Sequence, residues 1–249
     1  MTTKGNILAA AVLALSVLTC SVVTVRAQDS KGTVRASSRD DLLRRLPDST
    51  AYLLPEFQYA TVVYTNGGSA VGTLNVCLVD NSVRIINEAG DTLMLADADR
   101  VYSIKCGDTL LLARNGHFLR RVSVYGNSSL CQLKEFSFTE PDNESGYGGL
   151  PPTSTARQAR VRSLDVSRAY GAEVDIPWEL HTKWVLDDGR RYYPSRRSSF
   201  ERIFPSVKTA IRSYVRDNDV DFNNPRDLID LFQYCVEQSG TMSSPDDNK

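Results

Sequence analysis

The sequence predicts an α+β fold: an antiparallel β meander of seven or eight strands, then a hairpin and two or three C-terminal helices. Three observations predict it. Between Tyr59 and Thr139, β-branched or leucine-rich runs are broken at regular intervals by Asn66-Gly67, Asp80-Asn81, Gly90-Asp91, Gly107-Asp108, Asn115-Gly116 and Gly126-Asn127, the spacing of hairpin-linked strands. These connections are too short for parallel crossovers, which need about a dozen residues or more. In the tail the period changes, with Val207, Ile211, Tyr214 and Val215 recurring at helical spacing.

Taken in order, residues 1–27 read as a signal peptide: Lys4 precedes an apolar run from Ile7 to Leu18, and Val25-Arg26-Ala27 offers the pattern a signal peptidase reads. Gln28 is then the first mature residue. The run from Ile7 to Val25 is nearly long enough for an uncleaved anchor, but Arg26 and the Ala27-Gln28 junction favour cleavage. Residues 28–50 form an N-terminal extension and residues 51–140 the antiparallel β domain. Its candidate strands are 58–65, 69–79, 82–88, 92–96, 100–106, 109–114, 117–124 and 130–138. Residues 141–171 read as a linker or mobile loop, rich at first in proline, glycine and serine. Residues 172–240 read as a small α+β module: a hairpin turning at Asp188-Gly189, then helices packed on Trp178, Trp184, Leu186 and Tyr193. Its last helix is delimited by Asn224 as cap, Pro225 in the first turn and Gly240 at the exit. Residues 241–249 form a disordered tail.

Cleavage removes Lys4 and Arg26, so the formal charge of -1 becomes -3 on the 222 mature residues. So small a charge sets up no global field toward nucleic acid or an anionic membrane, and no nucleic-acid partner is expected. After cleavage no transmembrane span remains. Cys77, Cys106, Cys131 and Cys235 stay in the mature chain; in an oxidising compartment they allow three pairings, and none has metal-ligand spacing. Cys235 shares a helical face with Leu228, Leu231 and Phe232 and reads as core filling.

Gly-Asp-Thr-Leu occurs twice, at 90–93 and 107–110. Each copy reads as a tight turn, glycine supplying positive φ and aspartate bonding local backbone, with Thr-Leu opening the next strand. In a simple meander the strands 92–96 and 109–114 flank 100–106, which puts the turns on one edge roughly 10 Å apart, too far to share a proton or an ion. Asp97 and Asp99 lack the glycine and closing glutamate of a calcium loop. The same letters, with Asp48-Ser49-Thr50, resemble an O-glycosylation signal of exported proteins in Gram-negative anaerobes, marking Ser49, Thr92 and Thr109 as acceptors.

Catalytic signals are thin. The two histidines, His117 and His181, read as strand residues, and the serine-hydrolase, zinc-protease and phosphate-loop motifs are absent. No catalytic residue, cofactor or metal is implied. The local charge feature is "RRYYPSRRSSFER", in which Arg190, Arg191, Arg196, Arg197 and Arg202 interleave with aromatics; planar guanidinium groups suit phosphate or sugar-phosphate recognition, so this is the polyanion-binding candidate.

"LLPEFQYATVVYTNGGSAVGTLN" followed by a meander, together with Phe204-Pro205, Lys208, Ile211, Tyr214, Asn218, Phe222 and Asp227-Leu228 in the tail, resembles a group of β-rich secreted proteins from Gram-negative anaerobes of the gut and mouth that carries no assigned activity. The resemblance implies an address, periplasmic, outer-membrane associated or extracellular, and an architecture, without chemistry. The leading expectation is therefore a non-enzymatic envelope protein, a binding or assembly component whose partner is a protein, a glycan or lipopolysaccharide. The alternative is a glycan-directed hydrolase using unrecognised carboxylates, which would show a deep cleft converging two or more buried acids.

Overall fold

The computed structural model describes residues 29–139, 158–159 and 169–241; the expected signal peptide, most of the linker and the C-terminal tail lie outside the described residues. The fold is α+β. It opens with β1 (Ser30–Ser38), α1 (Arg39–Arg45) and the single-turn α2 (Asp48–Ala51). Then come β2 (Gln58–Tyr64), β3 (Ser69–Val76), β4 (Val83–Ile86), β5 (Thr92–Met94), β6 (Val101–Cys106), β7 (Thr109–Arg114), β8 (His117–Tyr125) and β9 (Ser128–Thr139). The pair Gln158–Ala159 is β10, and β11 (Ala169–Asp187) and β12 (Tyr192–Pro194) form the late hairpin. Three helices follow: α3 (Arg197–Ile203), α4 (Lys208–Asp217) and α5 (Pro225–Thr241).

The turns behave as their residues require. Asn115 and Gly116 both take positive φ, 52° and 76°, the geometry of a two-residue hairpin whose twist matches its strands. Gly90 and Gly107 also sit at positive φ. Eight strands, β2 to β9, occupy the span in which seven or eight were expected.

Their order is not one continuous meander. The sheet runs β1-β11-β9-β8-β7-β6-β2-β3-β4-β5, with β10 on β9 and β12 on β11, and every pairing is antiparallel. β6 returns to pair with β2, through Thr61 opposite Lys105 and Val62 opposite Ile104, so β5 does not flank it. This corrects the expected placement of the two Gly-Asp turns. β4 and β6 run in opposite senses, so their turns close oppositely directed hairpins, about four strand spacings or roughly 20 Å apart along the sheet. The reason is the connection 95–100, which carries a short 3₁₀ turn at Ala98–Arg100 and sends Leu95 and Ala98 onto the main core instead of laying β6 beside β5.

β11 belongs to the same sheet. It pairs with β9 from Trp178 opposite Phe138 to Asp187 opposite Ser129, so the hairpin expected to begin a C-terminal module is an integral strand beside the β region. β1 pairs with its other side; the alternating, largely polar "SKGTVRASS" is a strand where the sequence predicts only an N-terminal extension. Gly32 faces Trp178, and a Cβ there would lie 2.7 Å from the indole ring, so only glycine fits that pair without displacing Trp178. The start of β1 is tied down by Asp29, which accepts from the Thr182 backbone N–H and lies 3.3 Å from His181, itself 3.0 Å from Glu179.

One face of the β9–β11 pair carries two cores. Phe136, Phe138, Ile176 and Leu180 join Val62, Leu74, Val83, Ile104 and, from α1, Leu42, so the sheet curls around this cluster and α1 helps to fill it. Toward the other end of the same strands Leu130, Trp184 and Leu186 meet Phe200, Phe204, Ile211, Leu228 and Phe232. The helical stripes predicted for α4 and α5, Cys235 included, are the buried ones. Two details differ. Trp178 stacks on Phe136 in the first core and takes no part in the helical one, and α5 continues through Gly240 to Thr241. Asn224 does cap it, accepting from the Arg226 N–H.

Two predictions arise here. His181 has its pKa raised, first by its hydrogen bond to Asp29, which outweighs the opposing effect of burial, and then by its hydrogen bond to Glu179. A raised folded value means that the stabilisation is complete below the ordinary histidine value, about 6.5, and is lost as pH rises through the folded one. The difference in melting temperature between wild type and His181→Gln is therefore expected to be larger at pH 5.5 than at pH 8.5; an equal difference at both would show that the cluster does not hold β1. The second concerns Cys77, Cys106, Cys131 and Cys235, which are all free and buried. Burial pushes the thiols of Cys77, Cys131 and Cys235 up to about 12. None of the four is expected to react with Ellman's reagent in the native protein, and all four should react after denaturation.

Candidate anion-binding pocket

The opposite face of the sheet carries a third, smaller cluster of Leu112, Leu119, Cys131, Leu133 and Val185. Beside it opens a pocket of about 320 Å³ at the ends of β7, β8 and β11. Register explains what reaches it. Leu112 and Arg114 alternate with core-facing Leu111 on β7, and Arg121 lies opposite Cys131 on the β8–β9 ladder. The floor is an ion pair: Arg114 donates from Nε and Nη2 to the two carboxylate oxygens of Asp187 at 2.9 and 3.4 Å, with side-chain exposures of 5% and 1%. Arg114 Nη1 donates to the Ala113 carbonyl, and its guanidinium lies 5.1 Å from the centre of the half-exposed Tyr102 ring, within cation–π range.

The second acid of the pocket is also engaged. Asp188 accepts from the backbone N–H groups of Arg190 and Arg191 and from the Tyr193 hydroxyl. Burial pushes its carboxyl up, but these donors outweigh burial and hold it below the ordinary value. Asp187 goes the other way: burial is the largest influence and keeps its carboxyl above the ordinary range, against the pull of Arg114. The two acids are thus held as hydrogen-bond acceptors, one by a guanidinium and one by a turn. Among the described residues no group of three or more His, Cys, Asp or Glu side chains could hold a metal ion.

That leaves Arg121 and Arg190, both exposed, on the rim with Asn127 between β8 and β9. Of the arginines singled out in the sequence, only Arg190 lines the pocket. Arg191 donates to the Tyr193 hydroxyl and lies 5.4 Å from its ring, while Arg202 lies 5.0 Å from the same ring. Tyr193, expected in the helical core, is instead a half-buried spacer between two guanidinium groups and the Asp188 turn. Arg197 is spent on Glu201, 3.4 Å away, which also binds Arg212, and Arg196 is exposed just before α3. Arg114, Arg121 and Tyr102 were not singled out; their contribution depends on strand pairing far along the chain. Of the three proposed acceptors, Ser49 and Thr92 are exposed and Thr109 is half-buried.

No helix among the described residues is long and apolar enough to cross a membrane. No family model matches the chain, and neither a curated protein nor a solved structure matches it.

Proposed function

We propose that this is a non-enzymatic, exported cell-envelope protein that binds an anionic glycan, of the phosphorylated kind carried by lipopolysaccharide, in the pocket over the Arg114–Asp187 pair. The observation that carries the reading is the charge arrangement: both pocket acids are committed to internal donors, while Arg121 and Arg190 keep their guanidinium groups at the rim. Guanidinium forks match phosphate oxygens, the Tyr102 face beside Arg114 gives a sugar ring an apolar platform, and Asn127 can bond hydroxyls. The signal peptide expected at residues 1–27 supports the envelope location.

The test is calorimetric titration of the mature protein with purified lipopolysaccharide and with the same material after dephosphorylation. The expected result is binding that weakens at least tenfold on dephosphorylation and in Arg121→Ala/Arg190→Ala, with the melting temperature of that variant unchanged. Equal affinity of wild type and variant would overturn the site. Export is checked separately, by N-terminal sequencing of protein from the envelope fraction, which is expected to begin at Gln28.

A further inference from the structure

The two cores on the inner face of β9 and β11 are separated by a polar belt. Cross-strand register places Arg120 opposite Gln132, and Gln132 opposite Trp184. Lys134 lies opposite Thr182. Side chains alternate across a strand, so these five share the face on which Leu130 and Phe136 enter the two cores. Arg120 and Lys134 are diagonal neighbours across β8 and β9, about 7 to 8 Å apart at their backbones.

This belt carries two cations, Arg120 and Lys134, and no carboxylate. Among the described residues no carboxylate pairs with Lys134 or Arg120. Lys134 is half-buried; burial, and after it the charge of Arg120, holds its ammonium below the ordinary lysine value. Like charges on adjacent strands of a partly desolvated face are destabilising, so a fold that keeps them gains when something negative sits between them. A second observation points the same way. Trp184 is only 9% exposed, and its indole N–H has no hydrogen-bond partner, so a buried donor is left unsatisfied. An ammonium, a guanidinium, an indole N–H and the Thr182 hydroxyl can be answered together by one group with several acceptor oxygens.

We propose that Lys134, Arg120 and Trp184, with Thr182 and Gln132, form a binding site for a single phosphate or carboxylate group on the inner face of the sheet. Arg120 is exposed and gives the site its opening to solvent. This site is separate from the pocket described above: consecutive residues Arg120 and Arg121 point to opposite faces, and the two sites share no side chain.

The experiment is a thermal-melt titration of the mature protein with sodium phosphate and with sodium acetate, each against sodium chloride at matched ionic strength. One of the two oxyanions is expected to raise the melting temperature by about 3 to 5 °C at a tenfold excess over its Kd, and which one does so identifies the group. Lys134→Met should melt no lower than wild type without ligand, because it removes a desolvated charge, and should lose the response. Arg120→Gln, at an exposed position, should weaken the response at least fivefold even if Lys134→Met folds poorly. Arg121→Ala/Arg190→Ala should keep the full response, which separates this site from the outer pocket. A wild type that responds to neither oxyanion beyond chloride overturns the proposal, as does a full response in Arg120→Gln or a loss confined to Arg121→Ala/Arg190→Ala.

Discussion

Phe232→Ala is expected to destabilise the protein by about 3 to 5 kcal/mol, the usual cost of removing a buried phenyl ring from a core that cannot collapse around the gap. The ring is 2% exposed and packs edge to face on Phe204 at 5.4 Å between centroids. The same cluster takes Leu130 from β9 and Leu186 from β11. Because α3, α4 and α5 sit on strands that continue into the main core, the loss should not stay local: denaturant unfolding is expected to remain a single transition with its midpoint shifted. A variant that unfolds in two transitions, with the β-sheet signal unchanged in the second, would show that the helices fold separately from the sheet. A melting profile identical to wild type would show that Phe232 is not packed as described.

Asp187→Ala is expected to cost a similar amount, about 3 to 5 kcal/mol, for a different reason. It leaves the Arg114 guanidinium, 5% exposed, without its counter-charge in a poorly solvated floor, and an orphaned buried charge is far more costly than an intact pair is stabilising. Within the pair, desolvation offsets the attraction between the charges, and burial keeps the Asp187 carboxyl above its ordinary range. The double variant Arg114→Met/Asp187→Leu should therefore recover most of the loss in chemical denaturation. It should not recover ligand binding if the pair fixes the geometry under Tyr102, Arg121 and Arg190. A double variant no more stable than Asp187→Ala would mean that the pair holds the β7–β11 geometry through its hydrogen bonds and not through charge compensation.

Local chemistry was legible in the sequence. Six turn signals each set a backbone conformation within two residues, and glycine or asparagine at positive φ closes a hairpin whatever lies elsewhere in the chain. The strands from 58 to 138, the stripes of α4 and α5 and the Asn224 cap were read for that reason. Pairing between distant segments was decided only by the tertiary structure. Nothing in "SKGTVRASS" shows that it will pair with a strand about 130 to 150 residues further along the chain, because an edge strand needs only alternation and a partner. The β6–β2 pairing likewise reflects where Leu95 and Ala98 bury their side chains. The candidate sites are products of these long-range choices. Arg114 precedes an Asn-Gly turn and Asp187 an Asp-Gly turn, so each reads alone as an exposed strand end. Bringing β7 within reach of β11, through β8 and β9, joins them 73 residues apart. Sequence determined the short-range geometry, because φ preferences and side-chain period act within a few bonds. The sheet order determined which charges meet, because burial and pairing depend on neighbours that only the folded chain supplies.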